Sequence, residues 1–161
     1  MQVSRHIAYS VIPAASVTCL WGVQEGLIFM AAAVLIDFDH YIGFVRMSGF
    51  REYGIKKAFK YHDYLLKNCR RPEFLNMEYF HNLESLVVIF VAALVFSGSL
   101  MWSFFAGFLY HNFLDMVYLY GEGVFVKRAY SFVDYFIRKK RLVQKGLYPD
   151  KVFHDAIESI K

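Results

Sequence analysis

Leu35-Ile36-Asp37-Phe38-Asp39-His40-Tyr41 sets two carboxylates and a histidine inside a stretch that is otherwise almost entirely apolar. Without Asp37, Asp39 and His40, residues 26–45 would read as an ordinary membrane-spanning helix. At the centre of such a helix each carboxylate costs roughly 2.5 to 3.5 kcal/mol on insertion scales, so a cluster of this kind is kept where it has partners and a function. The reading of the rest of the chain follows from asking what those partners are.

Of the 161 residues, 57% are hydrophobic and 19% aromatic, and the mean hydropathy is +0.32. Soluble domains carry an apolar share of about 45 to 50%. The excess lies in blocks, which predicts an all-α integral membrane bundle. Cys19 and Cys69 are too few and too far apart for a disulfide framework, and Thr18 before Cys19 argues against a lipoprotein cleavage site. The first twenty residues have the charged start and apolar run of a signal peptide. An uncleaved span is expected instead, because no small-x-small site follows and a second apolar block begins at once.

The placement of the basic residues predicts the topology. Eight Lys and Arg lie between Arg46 and Glu78, nine follow Gly121 and one is Arg5, which accounts for all 18. Such a partition marks about four transmembrane helices with their basic segments on the cytoplasmic side. The spans are expected at residues 7–23, with Pro13 inside, at 26–45, around the short apolar run 86–96, and at 100–120. The turns at 21–26 and 97–99 carry no Lys or Arg and face outward, with Trp21 and Trp102 near the outer interface. The chain is thus expected to be multi-pass in the inner membrane with both termini cytoplasmic. Residues 1–123 form the four-span membrane domain, including the cytoplasmic segment 46–78, and residues 124–161 form a basic cytoplasmic helical tail.

Two polar stretches are expected to lie on the inner surface as cationic amphipathic helices. In the first, Ile55, Ala58, Phe59, His62, Leu65 and Leu66 recur at helical spacing among lysines, and Pro72 disfavours continuation past Arg71. The second, residues 124–143, carries Arg138-Lys139-Lys140-Arg141, which suits anionic lipid headgroups. A last helix starts at Pro149. No base-reading module accompanies the charge, so no specific nucleic-acid partner is expected. A homo-oligomer is open to so small a bundle, and His62 and His154 read as solvated.

Four acidic residues fall outside the basic segments and the outer turn: Asp37, Asp39, Glu84 and Asp115, each with a histidine nearby. Asp37 and His40 are three apart, as are His81 and Glu84, while His111 and Asp115 are four apart, so each pair can share a helix face. Asp39 is about 200° from Asp37 on an ideal helix and needs a different partner. With inner termini, His6, Asp37, His40, His81, Glu84, His111 and Asp115 all come to the cytoplasmic end of the bundle. Carboxylates gathered there need protons, water or cations. Imidazole nitrogen with carboxylate oxygen suits one or two divalent ions, with zinc favoured and manganese or iron as alternatives, and bundle cores do bind paired metals in this way.

Asp37-Phe38-Asp39-His40 after an early span, a histidine-bearing segment opening a later one, and Gly107-Phe108-Leu109-Tyr110-His111-Asn112-Phe113-Leu114-Asp115 together resemble the membrane-bound metal-dependent hydrolase family. These are small inner-membrane proteins distantly similar to zinc-dependent phospholipase C and the single-strand nucleases. The resemblance runs over about residues 5–118 and includes His6. It implies hydrolysis of a phosphate ester on a lipid or other membrane-associated molecule. His6, Asp37, His40, His81, Glu84, His111 and Asp115 would be the metal ligands, and Asp39 or Glu84 the general base. The third motif departs from the family's H-R-G-x-T-H-S: here it is Tyr79-Phe80-His81-Asn82-Leu83-Glu84-Ser85, with Glu84 where a second histidine would stand. Two further readings are a non-catalytic, metal-stabilised or partner-binding membrane protein, and a small ion or proton transporter.

Overall fold

The computed structural model describes residues 3–160. In chain order its helices are α1 (Val3–Trp21), α2 (Val23–Leu35), α3 (Phe38–Met47), α4 (Ile55–Asn68), α5 (Leu83–Phe96), α6 (Ser99–Gly121), α7 (Phe132–Gln144) and α8 (Pro149–Glu158), with a 3-10 turn at Phe125–Lys127. No strand occurs among the described residues; a single parallel bridge pairs Asn76 with Arg128. The all-α class is as expected. The chain forms two compact units, Met1–Asp37 with Leu83–Gly123, and Phe38–Asn82 with Val124–Lys161. The expected boundary lay at 123/124. In the fold, the segment 46–78 joins the tail in one unit, because the apolar faces of α4 and α8 find each other.

In the first unit, α1, with 19 residues, and α6, with 23, reach about 28 and 34 Å. The helices approach closely because the contacts between them are small. A Cβ on Gly26 would run into the Thr18 hydroxyl and come within 2.9 Å of the Ala14 carbonyl oxygen, and one on Gly107 would run into the Phe29 carbonyl and lie 3.0 Å from Ala32 Cβ. Ser10, Ala14, Ala32, Ala33, Ala93 and Ser103 are buried beside them. Most large apolar side chains point the other way: Ile12, Leu20, Leu27, Val88, Val95 and Phe96 are exposed, while Phe29, Ile36 and Phe108 are buried.

Of the four expected spans, one run, Val23–Met47, is long and apolar enough to cross a membrane, and it lies near the N-terminus. α1 and α6 have the length, but Ser, Thr, His, Asn and Asp residues lower their hydropathy. α5 is strongly apolar but has 14 residues, short of the about 20 needed for a full crossing. The expected second span is interrupted by a turn at Ile36-Asp37, and the expected outer turn at 21–26 shrinks to Gly22 between α1 and α2.

The second unit packs α3, α4, α7 and α8 with the segments that link them. Its core is Phe44, Val45, Ala58, Tyr61, Leu65, Phe74, Val152, Ala156 and Ile157. Asn76 N–H donates to the Lys127 carbonyl at 2.9 Å and Ala129 N–H to the Asn76 carbonyl at 2.8 Å, tying residue 76 to the tail. α4 buries Ala58, Tyr61 and Leu65. The expected apolar face is therefore rotated: Ile55, Phe59 and Leu66 form a separate, exposed stripe. α7 buries none of its side chains and exposes Val133, Phe136, Ile137 and Val143 beside its basic run.

Candidate metal centre

Four of the expected ligands meet within the first unit. His6 comes from α1, Asp37 from the turn that follows α2, and His111 and Asp115 from successive turns of α6. One ligand atom from each lies within 4.8 Å of the others. His6, His111 and Asp115 are 0% exposed and Asp37 is 8% exposed.

The geometry within this group specifies donors and acceptors. His111 Nδ1 lies 2.8 Å from the Ala33 carbonyl oxygen. A carbonyl can only accept, so Nδ1 carries a hydrogen. Nε2 faces Asp37 Oδ1 at 3.3 Å. His6 Nε2 is 3.1 Å from Asp115 Oδ1 and 3.8 Å from Asp37 Oδ2. The two imidazoles are stacked, with centroids 3.9 Å apart and planes 9° from parallel.

Two features of the surroundings favour a cation. His6 Nδ1 and, one turn along α1, Ser10 Oγ are buried without a hydrogen-bond partner. Arg5, the single basic residue of this unit's sequence, has its guanidinium 6.0 Å from the Tyr118 ring centroid. Two carboxylates among two imidazoles, buried and with that one basic side chain engaged at a tyrosine face, match a divalent cation in both charge and donor type. A backbone carbonyl that orients a ligand histidine through its second nitrogen is the usual support of such sites.

The other expected residues are described by unit. Glu84 stands half-buried in the first turn of α5 and is not a member of the group of four. Asp39, His40 and His81 belong to the second unit. The chain turns at Ile36-Asp37 between α2 and α3, so Asp37 closes one unit and His40 stands on the first turn of α3 in the next. His40 Nδ1 is 2.9 Å from Glu78 Oε1 and 3.5 Å from Asp39 Oδ1. Asp39 Oδ2 accepts from Phe80 N–H at 2.9 Å and lies 2.9 Å from His81 Nδ1.

Glu78 is the functional candidate that sequence reasoning passed over. It is buried, ion-paired with Arg128, and accepts from Asn76 Nδ2 at 2.8 Å. Burial pushes its carboxyl up, but the Arg128 guanidinium and the hydrogen bond from His40 outweigh that effect and hold it well below the usual carboxylate range. The signal in the sequence was weak: an acidic residue in a basic segment, with its partner fifty positions away. His62, expected to be solvated, is half-buried; its Nε2–H donates to the His40 carbonyl at 3.1 Å, and its ring lies 5.0 Å from that of His40. His154 is exposed, as expected. Comparison with family models, curated proteins and solved structures gives no match to this chain.

Proposed function

We propose that the chain is a membrane-embedded, metal-dependent hydrolase acting on a phosphate ester of a lipid or other membrane-associated molecule. The observation that carries this reading is the buried group of His6, Asp37, His111 and Asp115, with one ligand atom of each within 4.8 Å of the others. These four hold the ion, with zinc the best match to two nitrogens and two carboxylate oxygens. A divalent ion supplies Lewis acidity toward a phosphate oxygen and acidifies water at neutral pH. Of the two residues considered for general base, Asp39 and Glu84, Asp39 has Oδ2 engaged by Phe80 N–H and His81.

Membrane embedding is supported by what the first unit buries and what it exposes. Small and polar side chains inside, with large aliphatic and aromatic ones outside, are the packing pattern of helices in lipid, where close approach rather than apolar burial drives association. The four-span reading enlists α1, α2, α5 and α6. Seventeen of the eighteen Lys and Arg residues fall in the second unit, which supports a cytoplasmic side for it. The exposed stripes of α4 and α7 then meet anionic headgroups there.

A second reading has its own observation. Four protein ligands that are almost wholly buried resemble a closed structural metal site rather than a catalytic site with an open position. Turnover separates the two. Purified protein in nanodiscs, stripped with a chelator and reloaded with zinc or manganese, is offered a generic phosphodiester and a phosphomonoester. Hydrolysis that returns with the metal and is absent from His111→Ala supports the enzyme. Metal-dependent folding without hydrolysis of either ester supports the structural site and overturns the enzyme.

A further inference from the structure

The second unit holds a pair of imidazoles whose orientation is set by carboxylates. His40 Nδ1 faces Glu78 Oε1 at 2.9 Å and Asp39 Oδ1 at 3.5 Å; His81 Nδ1 faces Asp39 Oδ2 at 2.9 Å and Glu78 Oε2 at 3.6 Å. The rings lie 13° from parallel with centroids 5.2 Å apart. A carboxylate against each Nδ1 places a hydrogen on Nδ1, which in the neutral ring leaves the lone pair on Nε2. Glu78 cannot drift, because Arg128 is ion-paired to it and Asn76 donates to it. Arg128 is in turn fixed by its backbone bridge to Asn76 and by its carbonyl, which accepts from Arg138 Nη1 at 3.0 Å. Four segments distant in the chain thus converge on the tautomer of one histidine.

We infer that Glu78, anchored by Arg128, is a positioning residue that holds His40 as its Nδ1–H tautomer, so that His40 and His81 offer Nε2 as a matched pair of neutral metal-ligand nitrogens. Asp39 does the same for His81 and is a positioning residue rather than the general base. A carboxylate behind each ligand histidine fixes ring orientation and raises ligand basicity, and its loss typically weakens metal binding 10- to 100-fold. The use of the pair as ligands rests on the metal-dependent reading above; the tautomer does not.

The test uses the full chain in nanodiscs with 15N-labelled histidine, and long-range proton–nitrogen spectra that separate protonated from unprotonated ring nitrogens. His40→Gln and His81→Gln supply the assignments. In metal-free wild type, His40 and His81 are expected with Nδ1 protonated and Nε2 unprotonated. Glu78→Ala is expected to shift His40 toward the Nε2–H form and to weaken cobalt(II) binding, followed by visible absorption, 10- to 100-fold. Glu78→Gln combined with Arg128→Met keeps an acceptor oxygen for His40 and removes the cation that would be left unpaired. It is expected to restore the wild-type tautomer and most of the affinity. Wild-type His40 protonated at Nε2 overturns the inference, as does a Glu78→Ala protein with tautomer and cobalt affinity unchanged, or a double variant that falls as far as Glu78→Ala. If Glu78→Ala does not fold, the wild-type and double-variant spectra still decide the matter. Wild type that binds no cobalt but shows the expected tautomers overturns the metal reading alone.

Discussion

Between α1, α2 and α6 the buried side chains are mostly small or polar, Ser10, Ala14, Ala32, Ala33 and Ser103 with His6, His111 and Asp115, and Phe29 and Phe108 are the large ones among them, whereas the second unit buries Phe44, Tyr61, Leu65, Phe74 and Val152. The outsides are reversed as well. The first unit presents Leu20, Leu94 and Phe96, and the second carries nearly all the lysines and arginines. In water, folding is driven by removing large apolar side chains from solvent. In lipid that drive is absent, and helices are held by close van der Waals contact and polar bonds. On the proposed reading one chain carries two packing rules, and the candidate metal ligands of the first unit sit where small contacts let the helix backbones come together.

The comparison can be broken by substitutions whose cost depends on which rule applies. The largest effect is expected at Phe44, 0% exposed in the core of the second unit. Phe44→Ala should cost about 3 to 5 kcal/mol, read as a loss of stability in denaturant titration. A loss below about 1 kcal/mol would mean that this core is not packed as a water-soluble one.

Next is Val91→Arg on the exposed side of α5, where valine is 49% exposed. In lipid this change should cost roughly 2.5 to 3.5 kcal/mol and reduce membrane insertion. A surface in water would tolerate it within about 0.5 kcal/mol, so a neutral result in an insertion assay would remove the first unit from the bilayer.

Gly107→Ala is expected to follow, at about 1 to 3 kcal/mol, because the added methyl meets the Phe29 carbonyl, which cannot rotate away. Thermal unfolding in nanodiscs measures it. The same change at Gly43, where nothing lies within 4 Å of the added carbon, should be neutral or slightly stabilising, since alanine is the better helix former.

The smallest effect is expected at Ser131, whose hydroxyl accepts the Asp134 N–H at 3.0 Å and caps α7. Ser131→Ala should cost about 1 kcal/mol and loosen α7 in hydrogen exchange. Protection unchanged along α7 would mean that the cap does not hold it.

Much of this architecture is legible in the sequence because it is local. Apolar blocks and a gap of lysine and arginine delimit α1, α2, α5 and α6, and Pro149 opens α8 at the expected residue. The pairing of His111 with Asp115 needs only the period of a helix. What could not be read depends on contacts distant in sequence. The turn at Ile36-Asp37 splits the opening motif between two units, and nothing in Leu35-Ile36-Asp37-Phe38 announces it; both flanks are good helix formers. α4 has two apolar stripes, and periodicity cannot say which one α8 covers. Glu78 and Arg128 look like two more surface charges until residues 76 and 128 are bridged.

The central claim is that His6, Asp37, His111 and Asp115 hold a divalent ion within the first unit. Elemental analysis of purified wild type beside Asp37→Ala and His111→Ala tests it most directly, with folding of each checked by circular dichroism. The account predicts at least one equivalent of metal in wild type and loss of an equivalent in both variants. A folded wild type without metal, or variants that keep their full complement, would contradict it.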